Sequence, residues 1–145
     1  MAHCTLSHFS DRVIEIMPVI TREFSKRQIS EFYKTRITLP QFVVLDALHR
    51  HGESKMTDLA RYLDVTTAAV TGIVDRLVRD GHVLRMRDPD DRRVIKVKLT
   101  AKGSSSARNI TEDRKKTIIK LFGMITQKER DAYLGILEHI CGHLK

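Results

Sequence analysis

Apolar residues recur along this chain at spacings that separate it into helices and one short pair of strands. From Leu6 to about Lys34 the residues Phe9, Val13, Met17, Ile20, Phe24, Ile29, Phe32 and Tyr33 return at roughly helical intervals with charges between them, the signature of a long amphipathic arm. Pro18 lies inside that arm. It removes a backbone donor and crowds the preceding turn, so a kink is expected there, or a break that makes two helices. A second helix is predicted after Thr38, with Pro40 in its first turn, Phe42, Val43, Leu45 and Leu48 buried, and an end near Gly52.

Ser54 to Met56 suits a short strand. Thr57 is then the expected N-cap of a helix whose apolar face is Leu59, Ala60 and Leu63. Asp64-Val65-Thr66 ends it. Thr66 or Thr67 caps the next helix, which buries Val70, Ile73, Val74 and Leu77 and stops at Asp80-Gly81, glycine being a natural residue just past a helix end. Val83 to Arg87 and Arg93 to Leu99 form a two-stranded hairpin about a turn at Asp88 to Arg92. Ile95, Val97 and Leu99 face inward, Lys96 and Lys98 outward.

Thr100 caps a long helix carrying Ile110, Ile118, Leu121, Phe122 and Ile125, interrupted early by Gly103-Ser104-Ser105-Ser106. Thr126-Gln127-Lys128-Glu129 is a capping box ahead of Tyr133, Ile136, Leu137, Ile140 and Leu144. The fold expected is mainly α with a small β-hairpin wing. A winged helix-turn-helix domain (39–103) is flanked by an N-terminal dimerisation arm (1–38) and C-terminal dimerisation helices (104–145). The apolar stripes of the arms exceed what the small middle domain can cover, so a homodimer is expected.

Length and charge narrow the function. At 145 residues the chain buries a core without staples. Its 26 basic and 18 acidic residues give a net charge of +8, which suits a polyanionic partner. The excess is not localised: residues 1–38 carry six basic against four acidic side chains, 39–103 twelve against nine, 104–145 eight against five. An anionic membrane surface fits less well than nucleic acid, because no amphipathic segment is purely basic on its polar face. No leader and no apolar run of spanning length is visible at the N-terminus, so a cytoplasmic location is expected. Cys4 and Cys141, at opposite ends, do not read as a disulfide scaffold.

Chemistry points to double-stranded DNA. The helix from Thr67 presents Thr67, Ala68, Thr71, Gly72, Asp75 and Arg76 outward, with Thr66 at its start. Threonine and alanine touch thymine methyls, hydroxyls bond bases or phosphates, and Arg76 reaches phosphate or guanine. Gly72 costs roughly 1 kcal/mol of helix propensity, tolerable where a helix backbone must approach DNA. In the wing, Arg92 and Arg93 project from the turn with Lys96 behind them, and Asp91 is expected to hold the Arg93 guanidinium in one rotamer for a narrow minor groove. The same elements also suit a winged-helix module that binds protein.

Leu39-Pro40-Gln41-Phe42-Val43-Val44-Leu45, Leu59-Ala60-Arg61-Tyr62-Leu63, Val70 through Leu77, Gly81-His82-Val83, and Asp91-Arg92-Arg93 through Gly103 resemble the MarR family of bacterial and archaeal regulators over about residues 39–103. The resemblance implies an obligate dimer on a pseudo-palindromic operator, usually a repressor, often released by small phenolic or aromatic acids held between the dimer helices and the winged domain. It places Asp91 and Arg93 in the family's wing pair and Thr67, Thr71 and Arg76 on its recognition helix. Asp64 stands where the turn often has glycine, and Pro18 is unusual in the first arm.

Three modes of regulation remain open. A pocket could be walled by Phe9, Met17, Phe24, Phe42 and Tyr62, although such a stripe is more often core. A metal could be held by His139 and His143, four apart on one helix face, with Cys141 between them and His3, Cys4 and His8 at the other end. Thiol oxidation could act at Cys4 or Cys141. No resident cofactor and no catalysis are expected, since the chain lacks a phosphate-cradling glycine loop and a nucleophile-base pair.

Overall fold

The computed structural model describes residues 5–144, with the side chains of residues 27–33 outside that description; Ile29, Phe32, Tyr33, His3 and Cys4 therefore lie outside it. The order is α1 (Leu6–Thr35), α2 (Leu39–His51), β1 (Ser54–Lys55), α3 (Met56–Leu63), α4 (Thr67–Arg79), β2 (Val83–Arg87), β3 (Ile95–Leu99), α5 (Ala101–Phe122) and α6 (Gln127–His143). This is the expected mainly helical winged helix-turn-helix with helical arms.

Local signals set most boundaries. Thr38 caps α2 in a full capping box with Gln41, with Pro40 in the first turn. Thr66 caps α4 by accepting the Ala69 N–H, and Thr126 with Glu129 boxes the start of α6. Asp64 takes the left-handed conformation (φ 53°) that the tight turn between α3 and α4 requires, and Gly81 does the same after α4 (φ 77°).

Five expectations need correction. α1 runs unbroken through Pro18: the bond lost is to the carbonyl of Ile14, which is 70% exposed and open to water. The short strand expected at Ser54 to Met56 ends at Lys55 and joins the hairpin as a third strand, in the order β1-β3-β2, because Ser54 and Lys55 pair with Val97 and Lys96. That pairing draws Lys55 into extended geometry, so α3 starts at Met56 and Lys55, not Thr57, is its N-cap. On α2 Val44 is fully buried alongside Leu45, and Val43 is only half-buried. β3 begins at Ile95, whose side chain is 42% exposed, so of the expected inward residues only Val97 and the partly buried Leu99 join the core.

The core lies under the winged domain, built from Phe42, Val44, Leu45 and Leu48 of α2, Leu59 of α3, Val70, Val74 and Leu77 of α4, Val83 and Val97 of the sheet, and Ala107 and Ile110 of α5. α5 reaches that core through a close approach. Its N-cap Thr100 donates from both N–H and hydroxyl to the His82 carbonyl, each at 3.0 Å. A Cβ at position 103 would stand 1.9 Å from that same oxygen. Gly103 is thus not an interruption of the helix; it is what lets α5 lie against the start of β2. The His82 ring is buried with its Nδ1 unpaired among the described residues, and burial, assisted by Lys102, pushes its pKa down against a weaker opposing pull from Asp80.

α6 has no buried residue. Ile118, Leu134, Ile136, Leu137 and Ile140 are each at least 40% exposed, and so are Ile14, Ile16, Met17, Val19 and Ile20 on α1.

The contact at position 103 yields a test of the fold. Gly103→Ala should cost about 2 kcal/mol or more, as overpacking against backbone does, measured by denaturant unfolding. A gain of roughly 0.4–1 kcal/mol, normal for an unobstructed helical Gly→Ala change, would show that α5 does not sit against His82.

Candidate nucleic-acid interface

Helix α4 and the wing share one face. Thr67 and Thr71 of α4, Lys55, Met56 and Thr57 at the β1–α3 junction, Arg85 of β2 and Arg93 with its neighbours in the wing line a single open groove of about 490 Å³. Thr66, Thr67, Ala68, Gly72 and Arg76 are exposed, whereas Thr71 is half-buried. The Thr71 hydroxyl donates to the Thr67 carbonyl at 2.8 Å, which leaves its oxygen as an acceptor and its methyl as an apolar contact toward a base edge. The Thr66 oxygen is occupied by the Ala69 N–H at 3.2 Å, so its own O–H stays free to donate to a phosphate.

The wing turn is organised by its carboxylates. Asp88 accepts the N–H groups of Asp90 (2.9 Å) and Asp91 (3.2 Å). Asp91 accepts the Arg93 N–H at 3.0 Å, while the backbones of residues 88 and 94, and of 94 and 91, close the turn at 2.9 Å each. Asp91 therefore positions Arg93 through its main chain and not, as expected, through its guanidinium. Two of the wing's three carboxylates, Asp88 and Asp91, are thus engaged in shaping the turn. Among the described residues no carboxylate pairs with Arg76, Arg92 or Arg93, so these three guanidiniums are available to phosphates or a groove.

Lys96 lies on the face of β3 opposite the buried Val97, as expected, but its ammonium is not free. Its ammonium lies 2.8 Å from Asp88 and 3.4 Å from Glu53, bracing the base of the wing against the β1 side. The hydrogen bond from Lys96, with the N–H groups of Asp90 and Asp91, holds the Asp88 carboxyl down to about 2; a depressed carboxyl keeps its pairing above about pH 4 and loses it as pH falls toward 2.

Three contributors to this groove escaped the sequence reading: Arg85, Lys55 and Thr57. Arg85 reaches α4, its Nη1 donating to Asp75 at 2.5 Å and its Nη2 to the Thr71 carbonyl at 3.4 Å. Asp75 is thus not a solitary outward carboxylate. Lys55 and Thr57 enter the groove because β1 folds back onto β3. The alternation of β2 placed Arg85 on one side of the strand, but its partners lie ten and fourteen residues away, beyond any local pattern.

The residues named for sensing do not converge. Met17 and Phe24 line an apolar groove of about 770 Å³ between α1, α5 and α6. Phe42 lines a different one of about 340 Å³ between α2 and α5; Phe9 is exposed, and Tyr62 packs edge-on against His51, ring centres 5.7 Å apart. The His139 and His143 rings are 4.8 Å apart, with His143 Nδ1 3.0 Å from the His139 carbonyl. Among the described residues no group of three or more His, Cys, Asp or Glu side chains could hold a metal ion. His8 and Cys141 are exposed. No helix in the described residues is long and apolar enough to cross a membrane.

A helix-turn-helix with an arginine-tipped wing on the same face defines a DNA-binding transcription regulator. The MarR family model matches residues 37–95. The chain is 30% identical over 109 residues to the uncharacterized HTH-type transcriptional regulator YfiV of Bacillus subtilis (strain 168), covering 74% of this chain and 68% of that protein. It is 26% identical over 113 residues to the HTH-type transcriptional repressor MdtR of the same organism, covering 78% and 73% respectively. Its fold matches the structure of a MarR family protein from Bacillus stearothermophilus with a TM-score of 0.81 at 22% identity, covering 95% of this chain and 96% of that one. The chain belongs to the MarR family, whose members are transcription regulators and not enzymes.

Gly72 separates stability from recognition. It lies mid-helix with nothing within 4 Å of an added Cβ, so Gly72→Ala should raise the unfolding free energy by roughly 0.5–1 kcal/mol while weakening DNA binding severalfold. Unfolding and duplex titration of one sample check both; equal or tighter DNA binding would remove Gly72 from the interface.

Proposed function

We propose that this protein is a homodimeric repressor that reads a pseudo-palindromic operator. Thr67, Ala68, Thr71, Gly72 and Arg76 of α4 face the major groove, with Thr66 on the adjoining phosphate, and Arg92 and Arg93 enter the flanking minor groove. Asp91 shapes the wing turn that carries these arginines, and Lys96 braces it. The observation that supports this reading is the single groove lined jointly by Thr67 and Thr71 of α4 and by Arg93 of the wing. The division into an arm (1–38), a DNA-binding domain (39–103) and C-terminal helices (104–145) follows the same logic.

Dimerisation rests on exposed apolar surface. A 17-residue helix with no buried side chain, beside a groove lined by Met17, Ile20, Phe24, Tyr133 and Leu137, has no reason to be stable alone in water. A second copy related by a two-fold axis covers this face and presents two α4 helices to successive major grooves about one helical turn apart. Repression follows the name borne by MdtR. For release, the groove between α2 and α5 suits an aromatic acid: Arg114 lies 5.1 Å over the Phe42 ring, Lys115 is adjacent, and the Thr111 hydroxyl is buried and unpaired among the described residues.

The test is a titration of the protein and of Arg93→Ala against DNA from upstream of its own gene and against random duplex, at two salt concentrations. Saturable binding that falls steeply with salt, and that Arg93→Ala weakens by at least ~1 kcal/mol, is expected, with benzoate or salicylate lowering occupancy. Equal, weak binding of both proteins to both duplexes contradicts the reading.

A further inference from the structure

Arg85 adds a polar link between two parts of the interface, α4 and the sheet that bears the wing, which otherwise meet through the turn after α4 and the apolar core. It sits mid-strand on β2, opposite Val97 of β3, and its guanidinium leaves the sheet to grip α4. One arm donates to the Asp75 carboxylate at 2.5 Å and the other to the Thr71 carbonyl at 3.4 Å. The Arg85 side chain is only 32% exposed, while Asp75 is 55% exposed. Asp75 lies one turn beyond Thr71, on the face meant for DNA, where a bare carboxylate repels phosphate.

Resting on the operator-binding reading above, we propose that Arg85 and Asp75 form a positioning strut that fixes the angle between the recognition helix and the wing. The strut has two effects. A planar, two-pronged guanidinium on a carboxylate and a main-chain oxygen resists rotation of the wing about its base in a way that a lysine cannot. It also neutralises the one carboxylate of α4 that would face phosphate. Helix and wing then arrive at major and minor groove already aligned, and the complex avoids the cost of ordering one against the other. Arg85 is therefore a residue that acts through Asp75 and Thr71, not a phosphate contact of its own.

A double-mutant cycle separates these roles. Asp75→Asn, Arg85→Gln and the double variant are titrated against the operator and against random duplex, and the ratio of the two affinities is read. Each single change is expected to lower that ratio about fivefold to tenfold, and the double change is expected to be no worse than either. Arg85→Lys keeps the charge without the fork and should rescue only part of the loss. If Arg85→Gln lowers affinity by the same factor whether residue 75 is Asp or Asn, Arg85 touches DNA directly and the strut is wrong. If neither single change moves the ratio, the pair is an ordinary surface ion pair. Amide hydrogen exchange in the free protein provides a readout independent of DNA. Faster exchange across β2 and β3 in both single variants, without further gain in the double, is expected. Unchanged exchange overturns the strut even if no operator is found, whereas absence of operator binding by the unmodified protein overturns only the reading beneath it.

Discussion

The carbonyl oxygen of His82 is where the DNA-facing half of this molecule meets its helical arms. It takes hydrogen bonds from the backbone and hydroxyl of Thr100, and Gly103 lies against it so closely that no side chain fits. The preceding turn adds to the joint: the His82 N–H bonds back to Leu77 of α4 at 2.8 Å, and the Lys102 ammonium donates to the Asp80 carbonyl at 2.7 Å. The end of the recognition helix, the start of the wing and the first turn of α5 are thus fixed to one another within four residues of chain, 80 to 83.

Charge is distributed so that attraction to DNA is concentrated where shape is already fixed. In the wing, Asp88 and Asp91 are spent on backbone N–H groups and on Lys96; on α4, Asp75 is spent on Arg85. Arg76, Arg92 and Arg93 stay exposed and have no carboxylate partner among the described residues. A domain with only a modest positive balance thereby keeps three guanidiniums open on one face, because Asp75, Asp88 and Asp91 are engaged in contacts within the protein.

The legibility of this architecture in the sequence divides by range. Helix α4 and the strand Val83–Arg87 were readable to the residue, as were the caps at Thr38, Thr100 and Thr126, while Thr66 was one of two candidates, since each depends on neighbours within four positions. Errors arose where a distant partner decided. Thr57 yielded its capping role because Lys55 pairs with Lys96 across the sheet. Lys96 is held by Asp88 and, more loosely, by Glu53, 43 residues away, and Gly103 looked like a helix breaker because its packing partner was not visible. The exposure of Thr67, Ala68, Gly72 and Arg76 on α4 and of Arg92 and Arg93 in the wing was legible, while the reach of Arg85 to α4 was not. Asp91 was recognised as a positioning residue but with the wrong atom held, a distinction that sequence spacing cannot make.

The central claim is that two such faces, related by a two-fold axis, engage one duplex. Hydroxyl-radical footprinting of the protein on its operator tests this most directly. The account predicts a symmetric pattern with two backbone protections centred about one helical turn apart, roughly 10 base pairs, and outer minor-groove protections that disappear in the Arg93→Ala variant. A single asymmetric protection, or a symmetric one whose outer edges survive that substitution, would contradict it.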